Sequence, residues 1–193
     1  ISGLNFLSGA EDASGSAESY RFSKYAAVWG WATWRRAWRL YDADILNWPK
    51  AKERGLHYNF CFNKSEQRVW EDKFDHVHKH QIDTWDFQWS YCIFLNNGLC
   101  VTPNTNLISN IGFNDNATHT FVSDKRSNLA TRSVVFPLTH PLHVLPDYNS
   151  DWNEFVTHIN VPLYKRVSKK VLNSLGGYTL AASLYHKFIN YKR

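Results

Sequence analysis

The sequence predicts a domain of the α/β class, in which a short mixed sheet is flanked by helices. Apolar residues that recur at helical spacing, and short apolar runs bounded by turn residues, support this prediction. The helical segments are 32–41, 64–80 and 83–95, and the strand-like segments are 99–102 and 106–111. A chain of 193 residues has the length of one domain. We therefore predict an α/β domain over residues 1–160, followed by a C-terminal tail over residues 161–193.

The tail is basic and amphipathic, and we predict that it forms a helix. Such a helix can rest on an anionic membrane surface through residues 164–193, or it can pack on the domain or lie exposed. The formal net charge of the chain is +5, but its basic residues are scattered and no nucleic-acid-binding motif is present. We therefore expect no nucleic-acid partner, while peripheral contact with a membrane stays open.

The cysteines indicate a reducing compartment. Cys61, Cys92 and Cys100 are odd in number and have no CxxC spacing, which favours neither a disulfide framework nor a structural zinc site. The first residues have no signal-peptide pattern, and no stretch is apolar enough to span a bilayer. We expect a cytoplasmic protein that is at most peripheral to the inner membrane.

A carboxylate surrounded by aromatic residues marks the start of the helix predicted over 83–95. Asp86 stands in the segment WDFQW, with Asp83 or Thr84 as the expected N-cap of the helix. A carboxylate can act as a general base toward a substrate hydroxyl, and Trp85 and Trp89 can exclude water and stack on the C–H face of a sugar. The alternative is that Asp86 only complements the helix dipole.

A second aromatic segment, WGWATWRRAW, precedes and enters the helix predicted over 32–41. Trp34 and Trp38 fall on the apolar face of that helix, so we predict that they pack in the core. Trp29 and Trp31 flank Gly30 before the helix. They are better placed to line a pocket, because glycine permits an unusual turn and a close approach of the backbone.

These two blocks resemble the C-terminal half of a bacterial GT-A-type nucleotide-diphospho-sugar transferase. The first block is WGWATWRRAW, and the second contains WDFQW, NNGL, NLISNIGF and ATHT in that order, ending at residue 120. The order of elements is more distantly similar to that of the N-acetylglucosaminyltransferase I family. The resemblance extends over about residues 1–122, so it implies a partial GT-A-like fold and leaves the tail outside.

The resemblance implies an inverting transfer from a nucleotide sugar to a glycan or lipid-linked acceptor. Asp86 matches the catalytic base of the family, which takes a proton from the acceptor hydroxyl as that hydroxyl attacks the anomeric carbon. His119, in the ATHT segment, matches a histidine that touches the metal or the diphosphate. The metal implied is Mn²⁺ or Mg²⁺.

The resemblance also implies four substrate-binding residues. Asn5 falls near the strand that leads into the donor or acceptor loop, and Trp29 and Trp31 approach the donor sugar or the acceptor. Trp85 would flank the base. The oligomeric state, the sugar and the linkage are not predicted.

One part of the family pattern has no counterpart in the sequence. A Rossmann-like half that ends in an acidic DXD motif would precede Ile1, and Glu11-Asp12 lies instead in a Ser- and Gly-rich loop. Because Met is also absent, we expect a fragment, or a truncated relative, that lacks its donor-binding half. The alternatives are a non-catalytic glycan-binding or interaction domain derived from that fold, and a membrane-active protein that works through its basic tail.

Overall fold

A computed structural model describes residues 1–7, 17–111 and 129–160 of the chain. The described residues up to Thr157 form one unit. The predictions that concern Glu11-Asp12, His119 and the tail over 161–193 lie outside the described residues. The boundary that we predict at residue 160 therefore stays a prediction.

The sheet in the described ranges consists of two short antiparallel strands. Strand β1 spans Tyr20–Ser23 and strand β2 spans Cys100–Pro103, with Tyr20 opposite Pro103 and Ser23 opposite Cys100. The α/β class is therefore present in its coarse sense, as a small sheet together with several helices. The two strands run antiparallel, where the sequence predicts a mixed sheet.

Five α-helices accompany this sheet in the part of the chain that the structure describes. They are α1 (Arg35–Trp38), α2 (Trp48–Glu53), α3 (Lys64–His78), α4 (Asp86–Leu95) and α5 (Tyr148–Glu154). A 3₁₀ turn, Leu56–Asn59, precedes α3, and a π-helical turn, Phe155–Ile159, follows α5. No helix among the described residues combines the length and the apolar character that a membrane crossing needs.

The predicted helices over 64–80 and 83–95 are confirmed as α3 and α4, but the predicted cap of α4 is wrong. Trp85 occupies the N-cap position and makes no side-chain capping bond. Neither Asp83 nor Thr84 is the N-cap, and the Thr84 hydroxyl donates to the carboxylate of Asp86 instead. At α3, by contrast, the Asn63 side chain accepts from the backbone N–H groups of the first turn, as an N-cap residue does.

Aromatic side chains of α2, α3 and α4 form a large part of the core. Phe74 and Trp48 are almost completely buried. Trp70 meets Phe94 edge to face with ring centroids 4.9 Å apart, and Phe74 meets Tyr91 at 5.0 Å. Such pairs add to the free energy gained by burying their large apolar surface. They fix α4 firmly, and α4 carries two residues of the candidate site, Asp86 and Trp89.

The prediction of a core helix over 32–41 is wrong. Helix α1 is a single turn, none of its residues is buried, and Trp34 and Trp38 keep 47% and 41% of their surface exposed. Arginines stand at three positions of the same segment (Arg35, Arg36 and Arg39). A single turn that carries so many charges has no face that the core can cover, so its aromatic residues line the surface.

The strand predicted over 106–111 is also absent. Asn106 is buried, and its side-chain amide donates to the carbonyls of Ile108 at 2.7 Å and Ala130 at 3.0 Å. Its carbonyl oxygen accepts from the backbone N–H of Asn5 at 3.1 Å. These bonds take the place of a strand ladder, because an asparagine side chain can satisfy the backbone of a loop.

Candidate functional site

Five aromatic residues from three segments come together at one side of α4. We call Trp31, Trp38, Tyr41, Trp85 and Trp89 the aromatic cluster. Trp31 stacks on Trp85 with ring centroids 5.2 Å apart, Trp38 lies 5.3 Å from Trp89, and Trp38 stacks on Tyr41 at 4.5 Å. Trp38 and Trp85 are each 41% exposed. The cluster therefore presents aromatic surface to solvent. It lies beside α4, whose position is fixed by the core.

The turn at Gly30 places Trp31 in the cluster. Gly30 has a φ of +56°, and a Cβ atom there would lie 2.8 Å from Cγ2 of Ile108. Its carbonyl accepts from the backbone N–H of Gly3 at 2.8 Å, and Trp31 bridges to Ser2. The expectation that Gly30 allows an unusual turn and a close approach is confirmed.

Asp86 is the first residue of α4 and lies directly beside Trp85. Its Oδ1 atom accepts from the backbone N–H of Phe87 at 3.0 Å and from the Thr84 hydroxyl. Thr84 is held in turn, since Gln88 donates to its carbonyl at 2.6 Å. Among the described residues, the Oδ2 atom has no hydrogen-bond partner and the carboxylate has no cationic partner. One oxygen therefore orients the group while the other is open to a ligand.

The electrostatic field of Asp86 reaches Tyr41 in the cluster. Partial burial, and next the negative charges of Asp86 and Asp42, raise the pKa of the Tyr41 hydroxyl above its ordinary value. This hydroxyl donates to the carbonyl of Trp85 at 3.4 Å. The phenol therefore stays protonated near neutral pH and can act as a hydrogen-bond donor next to the carboxylate.

A cavity of about 310 Å³ adjoins the aromatic cluster. Trp31 and Trp89 belong both to the cluster and to the wall of the cavity, while Asp86 does not line it. Positions 86, 89, 93 and 96 share one face of α4, because a helix returns to the same face after three or four residues. The carboxylate thus lies at one end of the helix face that lines the cavity.

The structure brings some of the predicted site residues together and separates others. Trp31 and Trp85 lie in the cluster next to Asp86. Trp29 packs on Phe6 with centroids 5.7 Å apart. Asn5 is buried, and its side-chain amide donates to the carbonyl of Asn104 at 2.9 Å. Their substrate-binding roles stay predictions, as does the role of His119.

Sequence reasoning missed Trp38 and Tyr41 as members of the site. The helical spacing of Trp34 and Trp38 predicts that Trp38 packs in the core, and it gives Tyr41 no role of its own. The signal that points elsewhere is the density of charge in that segment, where Arg35 and Arg36 directly precede Ala37 and Trp38. A short helix with so little uncharged surface cannot be buried in the core, so its aromatic side chains stay partly exposed.

The described residues offer no metal centre. No group of three or more His, Cys, Asp or Glu side chains in these ranges is arranged to hold a metal ion. They therefore do not fit the Mn²⁺ or Mg²⁺ site that the resemblance implies, and His119 lies outside them.

Comparison with protein-family models, with curated proteins and with solved structures finds no match to this chain.

Proposed function

We propose that this chain is the acceptor-side part of an inverting, GT-A-like glycosyltransferase that uses a nucleotide sugar, with Asp86 as its general base. The observation that carries the proposal is the state of the Asp86 carboxylate. It is oriented through Oδ1, open at Oδ2, and placed beside exposed tryptophan rings. A base needs this combination, because it must reach a hydroxyl while its own direction is fixed.

The aromatic cluster supplies the binding surface in this proposal. An acceptor sugar stacks its C–H face on the exposed rings of Trp85 and Trp38, which orients one hydroxyl toward Oδ2 of Asp86. The carboxylate takes the proton of that hydroxyl while its oxygen forms the bond to the anomeric carbon of the donor. The bond from that carbon to the diphosphate breaks on the opposite side, and the diphosphate leaves with the electron pair.

Donor and metal binding are not assigned to the described residues. These residues lack a suitable ligand cluster, so the proposal derives no step through a metal ion. It leaves the nucleotide sugar, and any divalent ion with it, to residues other than those described. The proposed setting is cytoplasmic, with membrane contact through 164–193 as an open part of the proposal.

Asp86→Asn tests the proposal with a matched control. We expect kcat for sugar transfer to fall about 10²–10⁴-fold, the usual contribution of a general base, with acceptor affinity unchanged. Asp83→Asn is the control, since Asp83 is exposed and lies just outside α4. The assay uses the native protein with a panel of nucleotide sugars, an oligosaccharide acceptor and Mn²⁺. Transfer by Asp86→Asn within about threefold of wild type would show that Asp86 is not the base.

A glycan-binding domain without catalysis is the alternative, and the exposure of Trp38 and Trp85 favours it as much as it favours an enzyme. In that case Asp86 only stabilises the start of α4. Wild-type protein that binds the oligosaccharide but transfers no sugar from any donor, and an Asp86→Asn variant that binds equally well, would establish this alternative.

A further inference from the structure

The cavity next to the aromatic cluster has no role in the chemistry proposed above. Its walls are mainly apolar and come from the segment before and around α1, from α4 and from the residues that lead into β2, including Ala37, Leu40, Ile93 and Leu99. Leu40 is 52% exposed. Helix α1, which buries none of its own residues, thus serves as one wall of a cavity rather than as part of the core.

The charged side chain in the cavity wall is positive. Arg36 is the single charged side chain among the lining residues, and no carboxylate lines the cavity. Its guanidinium carbon lies 5.0 Å from the centre of the Trp34 ring, and within the described part of the chain it has no acidic partner. A guanidinium held against a ring, with its donors free, is suited to a phosphate or carboxylate.

The cavity adjoins the proposed reaction site through two shared tryptophans, Trp31 and Trp89. Trp31 lines the cavity and stacks on Trp85, the neighbour of Asp86. From Asp86 to Ile93, the shared face of α4 covers about 10 Å. A ligand whose apolar part fills the cavity is therefore within reach of the exposed rings and the carboxylate if it extends along this face.

The size of the cavity suits a small ligand better than a protein partner. A volume of about 310 Å³ lies at the lower end of the range for small-molecule pockets. A protein partner needs an interface of about 800 Å² on each side. Small residues such as Ala37 and Gly98 keep the space open.

We propose that the cavity binds the apolar chain of an amphiphilic acceptor, with an anionic group of that acceptor, such as a phosphate, at Arg36. The substrate class is thus a sugar carried on an apolar chain through an acidic linkage. Only the identification of this ligand as the acceptor rests on the proposed function. Binding of an apolar chain with an anionic head stands on the cavity and Arg36 alone.

The first experiment titrates the protein with alkyl phosphates below their critical micelle concentrations. Tryptophan fluorescence and calorimetry follow binding. We expect one saturable site whose affinity rises from butyl to octyl phosphate, by about tenfold for each pair of added methylenes that the cavity buries. Inorganic phosphate should bind much more weakly than octyl phosphate. This series uses wild-type protein only, so its outcome does not depend on the folding of a variant.

Two variants with matched controls locate the site. Arg36→Gln should weaken octyl phosphate about tenfold, the loss of one charge-assisted contact, while 1-octanol binds as to wild type. Arg39→Gln is its control, since Arg39 is exposed and does not line the cavity. Ala37→Phe fills the cavity and should weaken both ligands at least tenfold. Ala43→Phe adds the same bulk at an exposed position away from the cavity.

The outcomes that overturn the inference differ from those that overturn the proposed function. The cavity site is contradicted if no saturable binding is found, or if the control variants weaken binding as much as Arg36→Gln and Ala37→Phe do. It is also contradicted if the protein binds only to vesicles of anionic lipid. Asp86→Asn should bind octyl phosphate like wild type. If octyl phosphate binds but Asp86→Asn still transfers sugar, the cavity assignment stands and the base assignment falls. If Asp86→Asn loses transfer but no alkyl phosphate binds, the reverse holds.

Discussion

Trp31 stacks on Trp85 with their ring planes inclined by 28°, and this contact joins the two aromatic blocks of the sequence. One partner follows the turn at Gly30, and the other precedes α4. Because the core anchors α4, the stacked pair fixes the first block against a rigid helix. Trp85 directly precedes Asp86, so α4 positions both the aromatic binding surface and the carboxylate.

Replacing Trp85 by alanine should weaken oligosaccharide binding more than it weakens the fold. The side chain is 41% exposed, so we expect the free energy of unfolding to fall by only about 1 kcal/mol. Affinity for the oligosaccharide should fall about tenfold. Calorimetric titration and urea unfolding measure the two effects.

Trp29→Ala is the comparison for this variant. Trp29 packs on Phe6 and is not one of the five residues of the aromatic cluster. If Trp29→Ala lowers the affinity as much as Trp85→Ala does, the binding surface extends beyond the cluster, and Trp29 is a substrate-binding residue as the sequence predicts.

Gly30→Ala should destabilise the protein by about 2–3 kcal/mol. The new Cβ meets Ile108 at 2.8 Å, and the φ of +56° is unfavourable for any residue with a side chain. Urea unfolding measures the loss. The Ile108→Ala substitution should cost less in the Gly30→Ala background than in wild type, because it removes the clash. A cost that is equal in both backgrounds would show that backbone strain alone accounts for the effect.

Helices α3 and α4 could be predicted from the sequence because their apolar residues meet a core. Val69, Trp70, Phe74 and Val77 lie at helical spacing, and all four are buried. The segment with Trp34 and Trp38 has similar spacing and yet stays exposed. Periodicity shows which residues share a face, but whether that face is covered depends on the packing of the whole chain.

The candidate site could be predicted only in part, namely where its residues are adjacent in the sequence. Asp86 and Trp85 are neighbours in the sequence, so their proximity needed no tertiary information. The stacking of Trp31 on Trp85 and the hydrogen bond from Thr84 depend on the turn at Gly30 and on the exact start of α4. Neither can be read from the spacing of residue types.

Lys24→Met should cost about 3–5 kcal/mol of unfolding free energy. Lys24 Nζ lies 2.6 Å from Oε1 of Glu66, whose side chain is fully buried, and Tyr25 donates to the same carboxylate. Removing the lysine leaves a buried charge without its cation, which is costly. The double variant with Glu66→Leu should recover part of the loss. Urea unfolding measures both.

Lys52→Met is the matched control for the buried pair. Lys52 lies 2.7 Å from Asp75, but its side chain is 38% exposed. We expect a loss of at most about 1 kcal/mol, because solvent screens an exposed pair and competes for its charges. Similar losses for Lys24→Met and Lys52→Met would contradict the role assigned to burial.

Glu154 should make the stability of the protein fall as the pH rises. Burial, which the charge of Asp151 reinforces and that of Arg21 opposes, raises the pKa of Glu154 from 4.5 to about 7. Between these two values the folded protein holds a proton that the unfolded chain has lost. The stabilisation is therefore complete below about pH 4.5 and is lost as the pH rises through about 7.

Glu154→Gln tests this dependence, because glutamine keeps the shape of the protonated side chain and cannot ionise. We expect the variant to be more stable than wild type at pH 8, by on the order of 3 kcal/mol, and similar to it at pH 4.5. Glu53→Gln, at an exposed position of α2, should leave the difference between the two pH values unchanged. Urea unfolding at both pH values measures it. A Glu154→Gln variant that is less stable than wild type at pH 8 would show that the ion pair with Arg21, 4.0 Å away, outweighs the cost of burying the charge.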